Sequence, residues 1–280
     1  MILANESGGW YRLSLGDNFY FRPLATFMTQ NRYSIAITTF DLRFEAFLMP
    51  LISSIKAFRA EIEILVMVNG PAKGQFNPDY RRKLLQFLST QENVFPTIFP
   101  NFQALAKLWN RAALTATNNR ILILNDDLSF EPNTSPNFFT LLENALEDQG
   151  DAFKINGSFS HFVVSKEELI TVGFFDERLL GIGEEDGDFV WRYYEKFKKE
   201  IPSINIAGIN NIQSNIADTG FNKGISHYSQ FNREFIKTEK YQEVMLGGYK
   251  GMFDKRSKKK LIDEVQYPYE AFYLKYRHKL

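Results

Sequence analysis

Four short apolar runs alternate along this chain with stretches in which apolar residues recur every three or four positions. Ser34 to Thr38 is β-branched through Ile35, Ile37 and Thr38, and predicts a buried strand. From Asp41 the spacing turns helical, with Phe44, Phe47, Leu48, Leu51, Ile52 and Ile55 on one face. Asp41 stands where a helix cap is expected. Glu63 to Val68 predicts a second strand that ends at Asn69-Gly70, and Asp79 to Thr90 a helix carrying Leu84, Leu85 and Leu88. Val94 to Phe99 predicts a third strand, closed by Pro100. Phe102 to Ala116 predicts a helix with Leu105, Leu108, Trp109 and Ala112 inward. Ile121 to Leu124 is wholly apolar, so it predicts a fourth strand buried on both faces.

Strands alternating with helices imply right-handed crossovers and an α/β fold: a Rossmann-type, mainly parallel sheet flanked by helices. Ligands of such sheets bind beyond the carboxyl ends of the strands. The polar groups there are Thr39 and Asp41, Asn69, Asn101, and the Asn125-Asp126-Asp127 triplet. Ahead of the alternation, residues 10–22 read as two short strands around Gly16-Asp17-Asn18. Beyond Asp127 the pattern weakens. Pro136 to Leu146 reads as a helix, Phe153 to Ile155 and His161 to Val164 as strands, and Glu167 to Val172 as a short helix. Phe189, Val190, Tyr193 and Phe197 mark an amphipathic helix, and Ile204 to Ile209 a last strand. Residues 210–232, rich in Asn, Ser and Gly, read as a loop. The expected organisation is an N-terminal hairpin extension (1–32), a main domain (33–240) and a basic C-terminal helical tail (241–280).

Composition narrows the function classes. Lys+Arg and Asp+Glu are both 33, so the net charge is zero and no global attraction to nucleic acid is expected. The absence of cysteine excludes disulfides, thiolate metal sites and a cysteine nucleophile. The opening residues lack a basic segment followed by an apolar one, and the most apolar stretch, Phe47 to Ile55, is too short to span a bilayer. A soluble, cytoplasmic protein is expected. Residues 250–280 hold nine Lys+Arg against four Asp+Glu. Lys255, Arg256 and Lys258 to Lys260 read either as a solvated tail or as a peripheral contact with anionic lipid at a membrane surface.

Two acidic clusters carry the candidate chemistry. Arg120 to Asp127, Arg-Ile-Leu-Ile-Leu-Asn-Asp-Asp, is a buried run that ends in oxygen donors. Gly183 to Asp188 reads Gly-Glu-Glu-Asp-Gly-Asp. A hard cation such as Mn²⁺ or Mg²⁺ takes few carboxylates plus phosphate oxygens, so the first cluster suits a diphosphate-bound ion. Asn and Asp also simply favour turns that close strands. Acids that open a helix favour its dipole without any function.

Read together, the two clusters resemble the inverting glycosyltransferases of family 2, which have the GT-A fold. The likeness runs from about Tyr33 to His227. Ser34 to Arg43, Ser-Ile-Ala-Ile-Thr-Thr-Phe-Asp-Leu-Arg, looks like the family's first nucleotide-binding segment, and Arg120 to Asp127 like its strand ending in Asp-x-Asp. Gly173-Phe-Phe-Asp-Glu-Arg-Leu-Leu-Gly-Ile-Gly-Glu-Glu-Asp-Gly-Asp188 resembles its acceptor-side signature. The chain departs from the pattern at Asn125, where the motif begins with Asp, and at Asn69, where an acid often stands.

The resemblance implies a metal-dependent transferase of hexosyl type. It would take a nucleotide-diphospho-sugar, a UDP-sugar in the favoured case, and pass the sugar to a glycan or lipid-linked acceptor. It implies Asp127 as metal ligand, with Asn125 or Asp126 touching ribose or metal-bound water. Thr39, Asp41, Asn69 and Asn110 would lie along the nucleotide. Asp186 would be the general base, with Glu185 the next choice. His227 reads either as a metal or phosphate ligand or as an exposed loop histidine, and Asn110 equally as a core amide bonded to backbone. His161 reads as structural, and Asp176 and Glu177 as shaping the acceptor loop. Two rivals stand beside this reading: a catalytically silent nucleotide-sugar or glycan-binding module, and a nucleotidyltransferase. The latter would carry a glycine-rich basic loop after the first strand, which Thr38 to Leu42 lacks.

Overall fold

A computed structural model describes residues 14–15, 18–19, 32–40, 42–148, 150–212, 221–242 and 260–261. The chain divides into two units, Met1–Arg32 and Tyr33–Leu280. In the first, β1 (Ser14–Leu15) pairs antiparallel with β2 (Asn18–Phe19).

The second unit is an α/β fold built on one seven-stranded sheet. Its parallel heart is β3 (Ser34–Thr39), β4 (Ile64–Val68), β5 (Val94–Ile98) and β6 (Arg120–Asn125). β8 (Phe153–Ile155), β9 (Ser158–Ser165) and β10 (Ser203–Ile204) extend it beyond β6. Only β9 runs against the other six strands of the sheet.

Alternation along β3 sorts the core. Ile35 and Ile37 point to one face, where they meet α1 (Met49–Phe58), α2 (Pro78–Leu88) and α4 (Phe138–Asp148). Ala36 points to the other, with α3 (Leu105–Thr115), α5 (Lys166–Val172) and α6 (Glu185–Phe197). The central strands are wholly buried, which explains their unbroken apolar runs. Each large aliphatic side chain there contributes about 1.5–3 kcal/mol relative to exposure.

Two expectations are corrected. The run from Ile204 to Ile209 is not one strand. Asn156 takes over the backbone of Ile206, accepting its N–H at 2.8 Å and donating to its carbonyl at 3.0 Å, so the chain leaves the sheet after β10. It turns at Gly208 (φ +84°) and forms β11 (Ile209–Asn211), antiparallel to β7 (Leu128–Phe130). Secondly, residues 210–232 are not all loop, because α7 spans Phe221–Phe235. Where the basic tail is expected, β12 (Tyr241–Gln242) pairs antiparallel with β13 (Lys260–Leu261), and the rest of residues 241–280 lies outside the described residues. Lys255 to Lys259 lie outside the described residues.

Among the described residues no helix is long and apolar enough to cross a membrane.

Candidate functional site

The first parallel strand and the acidic triplet meet directly. Thr38 lies beside Asn125 in the register of β3 and β6. The Thr39 hydroxyl donates to Asp126 Oδ2 at 2.6 Å. After Thr39 the backbone turns through Leu42 at φ +66°, an uncommon angle for a residue with a Cβ, and enters a π-helical turn, Phe44–Leu48, ahead of α1. That turn carries a residue the sequence reading passed over. Arg43 donates from Nε to both Asp126 oxygens (2.9 and 3.0 Å) and from Nη2 to Asp126 Oδ1 (2.7 Å). The same Nη2 lies 3.1 Å from Asp127 Oδ2. Its guanidinium packs 4.3 Å from the centre of the Phe47 ring. The available signal was a lone cation between Asp41 and an apolar helix.

Burial pushes the Asp126 carboxyl up from its ordinary value, against the pull of Arg43 and Thr39. The fork on Arg43 is the geometry of an ionised carboxylate. Burial alone would lower Arg43, but its bonds to Asp126 leave it above the ordinary arginine value. Asp126 is thus held inside, whereas the Asp127 side chain remains 32% exposed.

The second acidic segment opens α6. Glu184 precedes it at φ +75°, and Glu185 is buried with Oε2 accepting from the Gly183 N–H at 2.6 Å. Burial, with the neighbouring Asp186 charge, pushes the Glu185 carboxyl up to about 8. Asp186 is half-buried and accepts from the Gly187 N–H at 2.8 Å. Burial raises it as well, while Gly187 and the charge of Lys154 on β8 pull it back. Asp188 has a different task. It is fully buried among Lys240 (2.8 Å), Arg192 (2.9 Å) and the Tyr241 hydroxyl (2.7 Å). Lys240 also bonds Asp176, which Arg178 holds at 2.7 Å. These groups fasten the start of α6 to the segment 176–178 and to the π-helical turn Ile236–Lys240.

One face of α7 grips the loop that presents Glu185 and Asp186. Asn232, wholly buried, accepts from the Leu180 N–H at 2.7 Å and donates to the carbonyls of Leu180 (2.9 Å) and Gly183 (2.7 Å). Ser229 and Arg233 both donate to Glu184 Oε1. Tyr228 lies against Gly181, where a Cβ would come within 2.4 Å of its ring.

A row of aromatic rings joins the two acidic segments. Phe40, next to Thr39, lies 6.3 Å from Phe102, and Phe102 stacks on Tyr228 at 6.0 Å. Tyr228 in turn covers Gly181, whose carbonyl accepts from the Leu105 N–H at 2.8 Å. The row thus runs from the end of β3, where Thr39 bonds Asp126, to the loop that leads into Glu185 and Asp186.

The remaining residues singled out in the sequence are placed as follows. Asn69 is wholly buried, donating to the Gln103 carbonyl at 2.9 Å and accepting its N–H at 2.7 Å, so its amide is engaged by backbone. Asn110 is also wholly buried. It donates to the Phe175 carbonyl (2.8 Å) and Glu177 (3.1 Å) and accepts from the Phe175 N–H (3.0 Å). It ties α3 to the start of the signature segment. His161 is buried on β9 beside Leu124, with Nδ1 2.8 Å from Ser160 Oγ. Asp41 lies outside the described residues. His227 falls within α7 and not in a loop, and its side chain lies outside the described residues.

The residues fit a cation that arrives with phosphate and do not fit an all-protein cage. Among the described residues no group of three or more His, Cys, Asp or Glu is arranged to hold a metal ion. Both Asp126 oxygens are engaged by Thr39 and Arg43, which leaves Asp127 as the exposed carboxylate, with Asn125 at the strand end. One or two carboxylates completed by phosphate and water is the usual Mg²⁺ arrangement in phosphate chemistry.

No family model and no curated protein matches this chain. Among solved structures it is similar to Staphylococcus aureus TarS residues 1–349, at 14% identity and a TM-score of 0.46, over 62% of this chain and 58% of that one. It is similar to GalNAc-T7 solved with UDP, GalNAc and Mn²⁺ at 12% identity and a TM-score of 0.48, over 63% of this chain and 43% of that one. A third is glucosyl-3-phosphoglycerate synthase from Mycobacterium tuberculosis with phosphoglyceric acid, at 13% and 0.49, over 76% of this chain and 84% of that one. The chain spans less than two thirds of the length of the first two.

Proposed function

We propose that this chain is an inverting glycosyltransferase of GT-A type that moves a sugar from a nucleotide diphosphate, a UDP-sugar in the favoured case, to a hydroxyl of a glycan or lipid-linked acceptor. The observation that supports the reading is the row Phe40, Phe102, Tyr228 and Gly181, which runs from the strand end beside Asp126 toward the second acidic segment, of different character. One is clamped by arginine, and in the other burial raises Glu185 and Asp186 above their ordinary range. The sequence signature from Gly173 to Asp188 supports the same reading.

In the proposed reaction the acceptor oxygen bonds to the anomeric carbon as the bond from that carbon to the diphosphate oxygen breaks. The bonding pair leaves with the diphosphate, and the acceptor proton passes to Asp186. A raised carboxyl is a better proton acceptor than an ordinary one, and such help is typically worth about 10²–10⁴-fold. Glu185, neutral below about 8, lets Asp186 carry the charge alone. Asp127 and Asn125 would hold the cation with the diphosphate, and Arg43 sets the orientation of that corner. When bound, the metal neutralises charge growing on the leaving group.

A panel of UDP-sugars with Mn²⁺ or Mg²⁺ tests this by donor hydrolysis and transfer, in wild type and Asp186→Asn. The base role predicts turnover in wild type, a loss of at least about a hundredfold in the variant, and nucleotide affinity kept in both. Nucleotide affinity without turnover in either protein would sink the transferase reading in favour of a silent binding module. The engagement of both Asp126 oxygens by protein donors is the observation on that side.

A further inference from the structure

The Arg43 guanidinium sits where a cation serving Asp126 and Asp127 together would sit. Nη2 contacts Asp126 Oδ1 at 2.7 Å and Asp127 Oδ2 at 3.1 Å. Nε spans both oxygens of Asp126. Its position is fixed from behind by the Phe47 ring at 4.3 Å and by the π-helical turn that begins at the next residue. Its side chain is only 12% exposed, so its charge is poorly screened.

We infer that Arg43 is a resident competitor for the metal: it keeps the acidic pair from holding a divalent ion by itself and makes the ion enter only with a diphosphate. The inference rests on the reading of Asp127 as the cation's carboxylate. Its physical basis is charge and donor supply. Two carboxylates facing one guanidinium carry a net charge of one, against two without it. A divalent ion at Asp127 also meets a fixed positive neighbour. A nucleoside diphosphate reverses this balance, since its oxygens complete the coordination shell and its negative charge offsets Arg43. Arg43 is thereby a specificity-determining residue. It selects a metal–diphosphate complex over the free ion, and it can contact the same diphosphate from the protein side, as arginine forks do.

The test is Mn²⁺ binding followed by the electron paramagnetic resonance of the free ion, with and without UDP, and needs no sugar transfer. Wild type is expected to bind Mn²⁺ weakly alone and much more tightly with UDP. Arg43→Met, which keeps an apolar chain over Phe47, is expected to tighten binding of Mn²⁺ alone by roughly tenfold or more, as removal of a poorly screened neighbouring charge requires. Arg43→Gln, neutral but still able to donate to Asp126, is expected to do the same and serves where the methionine variant does not fold. Adding Asp127→Asn to either variant is expected to abolish the gain. Folded Arg43 variants that bind Mn²⁺ no more tightly than wild type, or a gain that survives Asp127→Asn, would overturn the inference. A protein that binds no UDP in any form would instead count against the glycosyltransferase reading, and the arm with Mn²⁺ alone would still decide the role of Arg43.

Discussion

Asn232 holds both backbone groups of Leu180, N–H at 2.7 Å and carbonyl at 2.9 Å, from a helix 52 residues further along the chain. Its second donation, to the Gly183 carbonyl at 2.7 Å, spans the loop before the acidic segment. Replacing it by alanine leaves a buried N–H and two carbonyls without partners, each worth about 1–3 kcal/mol. Asn232→Ala is therefore expected to cost a few kcal/mol in chemical denaturation. In the proposed reaction it should lower kcat more than it raises KM, because it loosens Glu185 and Asp186 without touching a donor. Unchanged turnover in a folded Asn232→Ala protein would show that α7 does not position the loop.

Glu185 gives the protein a pH dependence whose sign can be worked out. Its folded carboxyl is raised to about 8, chiefly by burial, from an ordinary 4.5. A raised acid binds its proton more tightly when folded, so its contribution is full below about 4.5 and fades as pH rises through 8. Glu185→Gln removes that dependence. The variant should match wild type near pH 4.5 and exceed it by a few kcal/mol above pH 8. Urea midpoints across that range check it. A constant difference between the two proteins at all pH values would contradict the assignment.

The buried cluster behind α6 makes the opposite kind of demand. Lys240 bonds Asp176 and Asp188 together, Asp188 wholly enclosed and Asp176 largely so. Burial would raise both acids, but Lys240 and its arginine neighbours overcome it and hold them below the ordinary carboxylate range. Lys240→Met leaves two carboxylates facing two arginines with one cation removed, and breaking a buried pair in this way costs about 3–5 kcal/mol. The melting temperature is expected to fall by about 10 °C. The loss should shrink as pH drops below the ordinary acid value toward the depressed folded ones, where these acids lose their own contribution. A shift under about 2 °C at neutral pH would mean that Arg178 and Arg192 suffice.

These residues show what was legible in the sequence. The parallel heart was, because β3, β4 and β6 are buried on both faces and their apolar runs have no other explanation. The strand end at Asn125 to Asp127 and the acidic start of α6 were, because polar residues stop abruptly apolar or flexible segments there. The partners that turn those residues into a site were not. Arg43 is one arginine among many until the turn at Leu42 brings it back over Asp126. α7 reads as loop because Asn, Ser and Gly crowd residues 210–232 and mask the spacing of Tyr228, Phe231 and Phe235, while Ser229, Asn232 and Arg233 face protein through hydrogen bonds. Asn69 looks like a ligand-facing amide in sequence, Asn110 reads either way, and only the fold shows the backbone groups they serve. Periodicity reports burial against apolar neighbours and is silent on burial against polar ones.

Gly181 and Tyr228 make the link between the two acidic segments testable as a pair. Gly181 has φ +58°, in the region that disfavours a Cβ, and an added Cβ would lie 2.4 Å from the Tyr228 ring. Gly181→Ala thus meets two separate penalties. The left-handed backbone costs roughly 1–2 kcal/mol, and the ring must move off Phe102, on which it stacks at 6.0 Å. Tyr228→Ala removes the clash but leaves the backbone penalty and loses the stack. The double variant is therefore expected to be less destabilised than the sum of the two single ones, with a coupling of about 1 kcal/mol or more. If Tyr228 sets the loop as well as filling space, Gly181→Ala should also weaken turnover, and Tyr228→Phe, which keeps the ring, should not. Strict additivity of the two substitutions in denaturation would show that the ring does not bear on Gly181, and the aromatic row would then no longer connect Thr39 to the loop before Glu185.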